Sequence, residues 1–391
     1  MEDKKIRVAI THGDTNGVGY EVIFKIFEDP AVLELFTPII YGSPKVAVYH
    51  SKALGIDPQF SIINDASEAR DGRVNLLTTI EEEVKVDFGQ PTPEAGLAAQ
   101  RAIDRALADY AEGLFDVLVT APVAKNNIRG FDGHTSYITQ HLPRPADGSV
   151  QHGLTILVSD NLRVALVTNN VSLKDVPDAI TQQKIVEKAT ILHQALRRDM
   201  RIANPRIAVL ALNPRGGEDG VLGDEEQEII TPAIRELAQK SIQAFGPYPA
   251  DDFFGNGDYA QFDAVLAMYH DQGQTPFKAL TSISDDKGVR VTAGLPLVRT
   301  APAHGVCYNL AGQGRMEADS LRHAIYEAID IWRNRQNYDE PLANPLPKLY
   351  HEKRDESEKV RFNAPRRERS EHSSNYDDRN AAPTEANTDA E

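Results

Sequence analysis

The chain alternates short apolar strands with amphipathic helices, and this alternation limits the possible fold more than any other feature of the sequence. Residues 6–11, 37–42 and 115–120 have the composition of fully buried strands, and residues 95–112 carry apolar side chains at helical spacing. Ser43-Pro44 and Thr92-Pro93 each place a capping residue before a proline, which is typical of a helix start. This order predicts an α/β fold with α/β/α layers, in which helices cover both faces of a parallel sheet.

The second half of the chain repeats the pattern. Residues 154–158 and 163–168 predict a pair of strands joined as a hairpin, and helices are predicted over 181–198 and from about 225 to 244, with a strand over 206–212 between them. A last apolar helical face runs from 318 to 335, and it can pack on the first sheet only if the chain crosses back. We therefore expect two domains, a discontinuous one formed by residues 1–130 plus 306–347 and a second formed by residues 131–305.

Residues 348–391 have a different composition from the rest of the chain. They combine charged clusters with Ser, Asn, Asp and Thr, and they contain almost no apolar residues and no periodicity. Such a segment cannot bury enough apolar surface to offset the entropy lost on ordering. We expect a disordered, charged tail.

Charge and cysteine content narrow the class of protein. A net charge of −16 argues against a surface that binds nucleic acid non-specifically. No apolar run approaches the ~20 residues of a membrane span, and the first residues show no signal-peptide core. The single cysteine, Cys307, excludes an internal disulfide framework and suits a reducing compartment. We expect a cytoplasmic enzyme with neither nucleic acid nor membrane as a partner.

A histidine, a carboxylate and a lysine follow a predicted buried strand over residues 262–267. His270 and Asp271 come directly after its carboxyl end, and Lys278 lies eight residues after the histidine. Parallel α/β sheets bind ligands beyond the carboxyl ends of their strands, and these side chains cover metal ligation, acid–base catalysis and anion binding. The alternative interpretation is a core histidine bonded to backbone, with Asp271 capping a turn.

A loop with three glycines follows the first strand. Gly13, Gly17 and Gly19 suit the close approach of a ligand to the backbone and to the start of the next helix. Their spacing is not the GxGxxG of dinucleotide-binding folds. The alternative is a tight turn with Asp14 as its cap.

Several separate motifs resemble the 4-hydroxythreonine-4-phosphate dehydrogenases of pyridoxal phosphate synthesis, in order over residues 6 to about 347. They are Gly13-Asp14, Thr120-Ala121-Pro122-Val123-Ala124-Lys125, Gly133-His134-Thr135, Leu212-Asn213-Pro214, Tyr269-His270-Asp271-Gln272-Gly273, Gly294-Leu295-Pro296 with Arg299-Thr300, and Ala311-Gly312. Their number and consistent spacing make the resemblance far more specific than any one glycine loop.

The resemblance implies a two-domain fold of the isocitrate and isopropylmalate dehydrogenase type. It also implies a homodimer whose cleft is completed by the partner subunit, with most of the site and the dimer contacts in the second domain. The implied reaction is NAD-dependent oxidation of a β-hydroxy acid phosphate followed by decarboxylation. A divalent metal held by three histidines would polarise the ketone oxygen that receives the electrons left by CO₂.

Site residues carry over from the family by position. His134 and Thr135 fall where the family binds substrate, as do Lys278 and Arg299, whose charges suit an anion. His270 falls on a metal-ligand position. Asp271 beside it, Asp251 and Lys278 are the catalytic candidates, and Arg290 adds a cation to the predicted substrate site. The NAD-binding residues are not identified by this comparison. Gly13, Asp14 and residues 304–309 are the candidates.

This chain departs from the family at four positions. Asn170 and Arg215 stand where the family has metal-binding histidines, Arg290 where it usually has Asn, and Asn309 where Asp is common. Asn offers a weak oxygen ligand, and Arg has no lone pair for a metal. We hypothesise that Arg215 takes part of the metal's electrostatic place, by pairing with Asp251 or Asp271 or by polarising the substrate oxygen. The alternatives are a surface salt bridge for Arg215 and a weak Mg²⁺ site, rather than tightly held zinc, formed by the two aspartates and substrate.

The predicted function is NAD-dependent oxidation and decarboxylation of 4-phosphohydroxy-L-threonine to 3-amino-2-oxopropyl phosphate. Two alternatives stay open. One is a dehydrogenase for another phosphorylated four-carbon acid, such as a threonate or erythronate phosphate, for which the extra arginines are suited. The other is a catalytically silent relative that binds a metabolite, an interpretation favoured by the loss of two metal histidines.

Overall fold

Twelve strands are present in the computed structural model, which describes residues 5–144, 148, 150–283 and 288–344. They are β1 (Arg7–Thr11), β2 (Thr37–Gly42), β3 (Phe60–Ile63), β4 (Val74–Thr78), β5 (Val117–Thr120), β6 (Leu154–Val158), β7 (Arg163–Leu166), β8 (Arg206–Leu210), β9 (Gln243–Tyr248), β10 (Ala264–Ala267), β11 (Val289–Ala293) and β12 (Val298–Pro302).

The same residues form ten α-helices, with short 3₁₀ turns between elements. The helices are α1 (Gly19–Ile26), α2 (Pro44–Leu54), α3 (Pro93–Ala111), α4 (His134–His141), α5 (Val176–Ala179), α6 (Gln182–Arg198), α7 (Thr231–Gln239), α8 (Ala250–Gly255), α9 (His270–Ile283) and α10 (Asp319–Ala343).

One mixed sheet contains all these strands, in the order β3-β4-β2-β1-β5-β12-β11-β6-β7-β10-β8-β9. Most neighbours are parallel, but β11 runs antiparallel to both β12 and β6, and β6 runs antiparallel to β7. The predicted hairpin is therefore confirmed as β6 and β7. It lies in the middle of the sheet, and parallel strands lie on each side of this antiparallel centre.

Alternate residues of each strand enter different hydrophobic cores, which is how helices come to cover both faces. Val8 and Ile10 of β1 pack in one core with α1, α6 and α10, whereas Ala9 between them packs in a second core with α3 and α4. In the second half of the chain, Val265 faces a third core that contains Phe277 of α9. The period of two along a strand produces this division. It confirms the predicted α/β fold class.

Local sequence signals place several helices correctly. Thr92 accepts a hydrogen bond from the backbone N–H of Ala95 at 3.3 Å, which caps α3, and Pro93 begins the helix. Thr181 caps α6 in the same way, through Lys184 N at 3.2 Å. The last helix also forms, and it packs on β12 and β5 near the centre of the sheet.

The long helix predicted from about 225 to 244 is wrong at both ends. A π-helical turn covers Glu226–Ile230, α7 covers only Thr231–Gln239, and Ala244 lies in β9. Ser241, with a φ of 59°, ends the helical path before Ile242 and Ala244 turn into the core. Apolar residues at 242 and 244 fit both periods, so the pattern alone did not separate the end of a helix from the start of a strand.

The described residues from Lys5 to Ala343 form one compact unit. The division into domains of residues 1–130 plus 306–347 and 131–305 stays a prediction. The tail predicted over 348–391 lies outside the described residues. No helix in the described part of the chain is long and apolar enough to cross a membrane.

Candidate active site

A cavity of about 530 Å³ lies at the carboxyl ends of β5, β7 and β10, where an α/β sheet is expected to bind ligands. The start of α4 contributes His134 and Thr135, and the start of α9 contributes His270. Arg290 of β11 and Arg299 of β12 complete the set of predicted residues that line it. Five of the predicted site residues therefore meet in one place.

The charge of the cavity is strongly positive. Among the described residues that line it, the cations are Lys125, Lys184, Lys188, Arg290 and Arg299, whereas Asp132 is the single carboxylate. A larger depression of about 920 Å³ lies along α6, but its lining combines glutamines with Glu187, Glu236 and Lys240 and has no such excess of one charge. The smaller cavity is the one built for an anion.

Arg299 is only 3% exposed and has no carboxylate partner in the described residues. Its Nε donates to the Thr120 hydroxyl at 3.1 Å, Nη2 donates to the same oxygen, and Nη1 donates to Thr292 Oγ1 at 3.2 Å. Burial, with a further contribution from Arg290, lowers the pKa of Arg299 to about 9. The guanidinium thus remains mostly charged at neutral pH, in a place that lacks a counter-ion.

Arg290 lies in a similar environment. Its Nη2 donates to Gln274 Oε1 at 3.5 Å, its Nε has no hydrogen-bond partner, and burial lowers the pKa of its guanidinium. Burying a cation without a partner is costly, so an anionic ligand between the two arginines would relieve a penalty that the protein alone leaves in place.

His134 and Thr135 contribute polar groups to the same cavity. The Nε2 atom of His134 is inaccessible to solvent and has no hydrogen-bond partner. Burial, then Arg299, Arg290 and Lys125, lower the pKa of His134 well below its usual range, so the ring is neutral at pH 7. The Thr135 hydroxyl lies 2.9 Å from Thr155 Oγ1 and 3.3 Å from Thr292 Oγ1. Both residues therefore offer neutral hydrogen-bonding groups.

His270 carries a carboxylate partner. Its Nδ1 lies 2.7 Å from Asp271 Oδ1, while the ring lines the cavity and the side chain of Asp271 is 81% exposed. A carboxylate that accepts from Nδ1–H leaves Nε2 as the proton-accepting nitrogen. The interpretation as a core histidine is wrong, because the His270 side chain is 42% exposed.

The metal centre implied by three histidines does not fit this chain. Asn170 does line the cavity, but its amide is already bonded to Lys125 and to the backbone oxygen of Asp132. No group of three His, Cys, Asp or Glu residues that could hold a metal ion occurs in the described ranges. Five cations in the cavity wall would also repel a dication.

Arg215 does not take the metal's place in the structure, contrary to our hypothesis. Its side chain is 76% exposed and pairs with Glu218 at 2.8 Å, not with Asp251 or Asp271. The surface salt bridge was the correct alternative. Residues Arg215–Asp219 all have positive φ, from 45° to 81°, so a left-handed turn that the spacing could not predict directs this side chain outward.

The cavity lining of this chain contains none of the three predicted catalytic residues, Asp251, Asp271 and Lys278. Asp251, in the first turn of α8, is exposed, and so is Lys278, two turns into α9. Phe277 of α9 packs in the third hydrophobic core, so the next residue on the helix, Lys278, faces solvent. Their catalytic roles stay predictions that depend on the implied partner subunit.

The loop with three glycines is held by internal contacts. Asp14 is 1% exposed and accepts hydrogen bonds from Asn16 N at 2.9 Å, Asn127 Nδ2 at 2.6 Å and Tyr308 OH at 2.8 Å. A Cβ at Gly19 would lie 2.0 Å from the His12 carbonyl oxygen, so this glycine is required by backbone packing. The interpretation of a turn capped by Asp14 is therefore correct, and Asp14 also anchors the segment that contains Tyr308.

Sequence reasoning missed several residues that line the cavity, namely Lys125, Gln274, Lys184 and Lys188. Lys125 had a usable signal, because it follows the carboxyl end of β5 within a motif already singled out. The two lysines of α6 had none. They are four residues apart on an ordinary amphipathic helix, and only the tertiary fold brings that helix to the site.

Comparison with known proteins gives a consistent result. A family described as "Pyridoxal phosphate biosynthetic protein PdxA" matches residues 34–328. The chain is 53% identical over 366 residues to a 4-hydroxythreonine-4-phosphate dehydrogenase of Bacteroides thetaiotaomicron, covering 93% of this chain and 98% of that one. A relative of the same name from Prosthecochloris aestuarii is 38% identical over 340 residues, covering 84% and 97%. The crystal structure of the Klebsiella pneumoniae 4-hydroxythreonine-4-phosphate dehydrogenase matches with a TM-score of 0.68 at 29% identity, over 84% of this chain and 98% of that one.

Proposed function

The chain belongs to the PdxA family of pyridoxal phosphate biosynthetic proteins, and from this premise we propose that it oxidises 4-phosphohydroxy-L-threonine with NAD and releases CO₂ to give 3-amino-2-oxopropyl phosphate. The relatives that carry the name 4-hydroxythreonine-4-phosphate dehydrogenase support this proposal. The observation that carries it is a pair of arginines, the partly buried Arg290 and the buried Arg299, which face the cavity without carboxylate partners among the described residues.

The substrate supplies the anions that the cavity lacks. It carries a phosphate and a carboxylate at opposite ends of a four-carbon chain. Arg290 and Arg299 present planar guanidinium groups that suit either anion, and Thr135 with neutral His134 donates or accepts hydrogen bonds at the same wall. Binding at both ends would fix the hydroxyl carbon between them for reaction.

His270 is the base in this proposal. The substrate hydroxyl gives its proton to His270 Nε2, and Asp271 holds the ring through Nδ1 and stabilises the imidazolium. NAD, when bound, accepts the hydride that leaves the substrate C3 atom. The resulting β-keto acid loses CO₂, which breaks the C1–C2 bond and moves its electron pair toward the C3 oxygen.

Residues 304–309 are the proposed site for NAD. His304 lines the cavity, Gly305 and Asn309 are exposed, and a Cβ at Gly305 would meet nothing within 4 Å. The segment is thus open to a ligand and anchored from behind, because Tyr308 donates to Asp14 and the backbone N–H of Val18 donates to Val306 O at 3.2 Å.

A second substrate is favoured by one feature of the cavity. The amino group of 4-phosphohydroxy-L-threonine is a cation, and Asp132 is the one acidic residue among those described in the cavity wall. A phosphorylated four-carbon hydroxy acid without an amino group, such as a threonate or erythronate phosphate, would avoid the repulsion between that amino group and the cations of the cavity. It would undergo the same oxidation at its C3 hydroxyl.

The test is NADH formation, followed at 340 nm, with each substrate offered to the purified protein. We expect kcat/KM to be at least tenfold higher for the amino acid phosphate. This ratio corresponds to a difference of about 1.4 kcal/mol in activation free energy. The reverse ratio would select the second substrate. No NADH from either, with or without divalent metal, would leave a catalytically silent relative.

A further inference from the structure

The Asn170 amide is held at both ends. Its Oδ1 accepts from Lys125 Nζ at 2.6 Å, and its Nδ2 donates to the backbone oxygen of Asp132 at 2.9 Å. An amide oxygen only accepts and an amide nitrogen only donates, so the two contacts together fix one orientation of the side chain. Asn170 therefore presents a fixed acceptor to the Lys125 ammonium.

Gly133 leaves the room that this arrangement needs. Its φ is 117°, and a Cβ added there would lie 3.2 Å from Lys125 Cε, 3.5 Å from Lys125 Nζ and 3.9 Å from Asn170 Nδ2. A side chain here would crowd Lys125 Cε, whereas its Cβ would make only an ordinary van der Waals contact with Asn170. The position of the Lys125 ammonium is thus shaped from two sides, by the Asn170 amide and by the backbone of Gly133.

Three other cations of the cavity have partners outside the predicted substrate groups, whereas Arg290 has one long contact, to Gln274 at 3.5 Å. Arg299 is bonded to two hydroxyls, Lys188 pairs with Glu187 at 3.1 Å, and Lys184 donates to Ala179 O at 3.1 Å. The Lys125 ammonium has three N–H donors, of which one is given to Asn170 in the described structure. Two donors on a compact point charge suit a single oxygen atom, whereas guanidinium groups suit the two-oxygen face of a carboxylate or phosphate.

We propose that Lys125, positioned by Asn170, stabilises the charge that develops on the substrate C3 oxygen, so that this chain runs the reaction without a divalent metal. The inference rests on the function proposed above. It deepens that function by assigning the polarising role, which the missing three-histidine site leaves vacant, to a cation that lines the cavity.

Each proton and electron pair in the oxidation and decarboxylation has an acceptor. The hydroxyl proton goes to His270 and the C3 hydride goes to NAD, which leaves a C3 ketone. When the C1–C2 bond breaks, CO₂ departs and the electron pair of that bond forms the C2–C3 double bond of an enolate. The enolate oxygen accepts a hydrogen bond from Lys125. A proton from water at C2 then gives the amino ketone phosphate. Lys125 keeps its proton throughout.

Steady-state kinetics of chelator-treated, full-length protein test this assignment, with the substrate that turns over. We expect wild-type kcat to be unchanged by chelator and by added Mg²⁺, Mn²⁺ or Zn²⁺. Lys125→Met should lower kcat on the order of 10²-fold, with substrate affinity in calorimetry changed by less than about threefold, because the interaction strengthens only as charge develops. Lys125→Gln is the second variant, in case the first fails to fold.

Asn170→Ala tests the positioning role, and the exposed Lys174 provides the matched control. Asn170→Ala should lower kcat about tenfold and leave KM unchanged, whereas Asn170→Gln, which keeps the amide, should recover part of that loss. Lys174→Met should match wild type.

The failures are distinguishable. No NADH from either substrate, with or without metal, overturns the proposed function and this inference with it. Turnover that stops on chelation and returns with a divalent metal overturns the inference alone, as does an unchanged kcat in folded Lys125→Met.

Discussion

At the residue scale, two buried arginines contrast in their partners. Arg299 and Arg335 are 3% and 5% exposed, but Arg335 forms a bidentate pair with Asp199 at 2.7 and 2.9 Å, and Arg299 contacts only hydroxyls. A buried ion pair offsets the cost of desolvation, and an unpaired buried cation does not. The first arrangement serves the fold, and the second keeps a cation ready for a ligand.

Replacing Arg299 should therefore separate stability from binding. We expect Arg299→Met to raise KM for the phosphorylated substrate on the order of 10²-fold, since a charge-assisted contact in a desolvated site contributes about 3 kcal/mol. The midpoint of thermal unfolding should stay equal or rise, because the variant no longer buries an unpaired charge. Initial-rate kinetics and a melting curve measure the two effects, and a lower midpoint with unchanged KM would contradict this role.

Two other buried residues make stability depend on pH. His12 is the first residue after β1, and His50 of α2 contacts the backbone oxygen of Thr15 in the same loop. Burial lowers the pKa of each from 6.5 to about 4, helped at His12 by His50. Between pH 6.5 and 4 the unfolded chain binds protons that the folded chain does not, so stability is present above pH 6.5 and is lost as the pH falls toward 4. The loss is roughly 3 kcal/mol per histidine.

Urea unfolding at pH 7.5, 5.5 and 4.5 would show this dependence. His50→Gln keeps a donor for Thr15 O, which His50 Nε2 contacts at 2.8 Å, and removes the titration. Its stability should fall less steeply with pH than that of wild type, while the same change at exposed His141 should leave the slope unaltered. Parallel curves for wild type and His50→Gln would refute the explanation.

At the element scale, the Arg335 ion pair connects three parts of the fold. Asp199 is the C-cap residue of α6, Arg335 belongs to α10, and its Nη1 donates to Leu295 O at 3.0 Å and Pro296 O at 2.9 Å in the turn before β12. The last helix is thereby fixed to the turn that leads to Arg299. Packing of α10 is linked in this way to the geometry of the site.

Breaking that connection should destabilise the protein strongly. Arg335→Met leaves the Asp199 carboxylate buried without its partner, so we expect a loss of about 3–5 kcal/mol in the free energy of unfolding. Arg333→Met is the matched control, because Arg333 lies on the same helix, exposed, 4.0 Å from Asp330. It should cost less than about 1 kcal/mol. Equal losses in the two variants would contradict the argument.

Elements with local signals were predictable from the sequence, and those set by distant contacts were not. Thr92 and Thr181 cap their helices where the capping rules place them. The predicted helix over 225–244 failed because α7 ends at Gln239 and Ala244 pairs with Ile207 in the sheet, a choice decided by pairing between β8 and β9. Arg215 was misplaced for a similar reason, since a run of positive φ angles directs its side chain to solvent.

At the scale of the whole molecule, a positive cavity lies inside a protein with a net charge of −16. Family resemblance identified five cavity residues correctly by position, including His134, Arg290 and Arg299. It could not identify the lysines of α6, because no local pattern distinguishes a lysine that faces the cavity from one that faces solvent. Convergence of charge depends on the order of strands, which places β12 beside β5 and β11 beside β12.

The homodimer implied by the resemblance stays a prediction, and the residues that this chain leaves outside the cavity give a way to test it. Asp251 and Lys278 are exposed in one subunit, whereas the resemblance places them in the substrate site. In a twofold dimer each site would take His134 from one subunit and Lys278 from the other. Each chain would then contribute one part to each of the two substrate sites of the dimer.

Mixed dimers decide whether Lys278 acts in trans. We expect Lys278→Ala and His134→Ala each to lose activity as homodimers. When the two variants are co-expressed with different tags, random pairing should restore roughly a quarter of wild-type activity. Half of the dimers are then mixed, and each mixed dimer has one native site of two. If both residues instead served the same subunit's site, every site would carry one defect and no activity would return. Purification through both tags isolates the mixed dimer, which should then show about half of the wild-type activity. An inactive mixed dimer would mean that Lys278 and His134 act in the site of the same subunit.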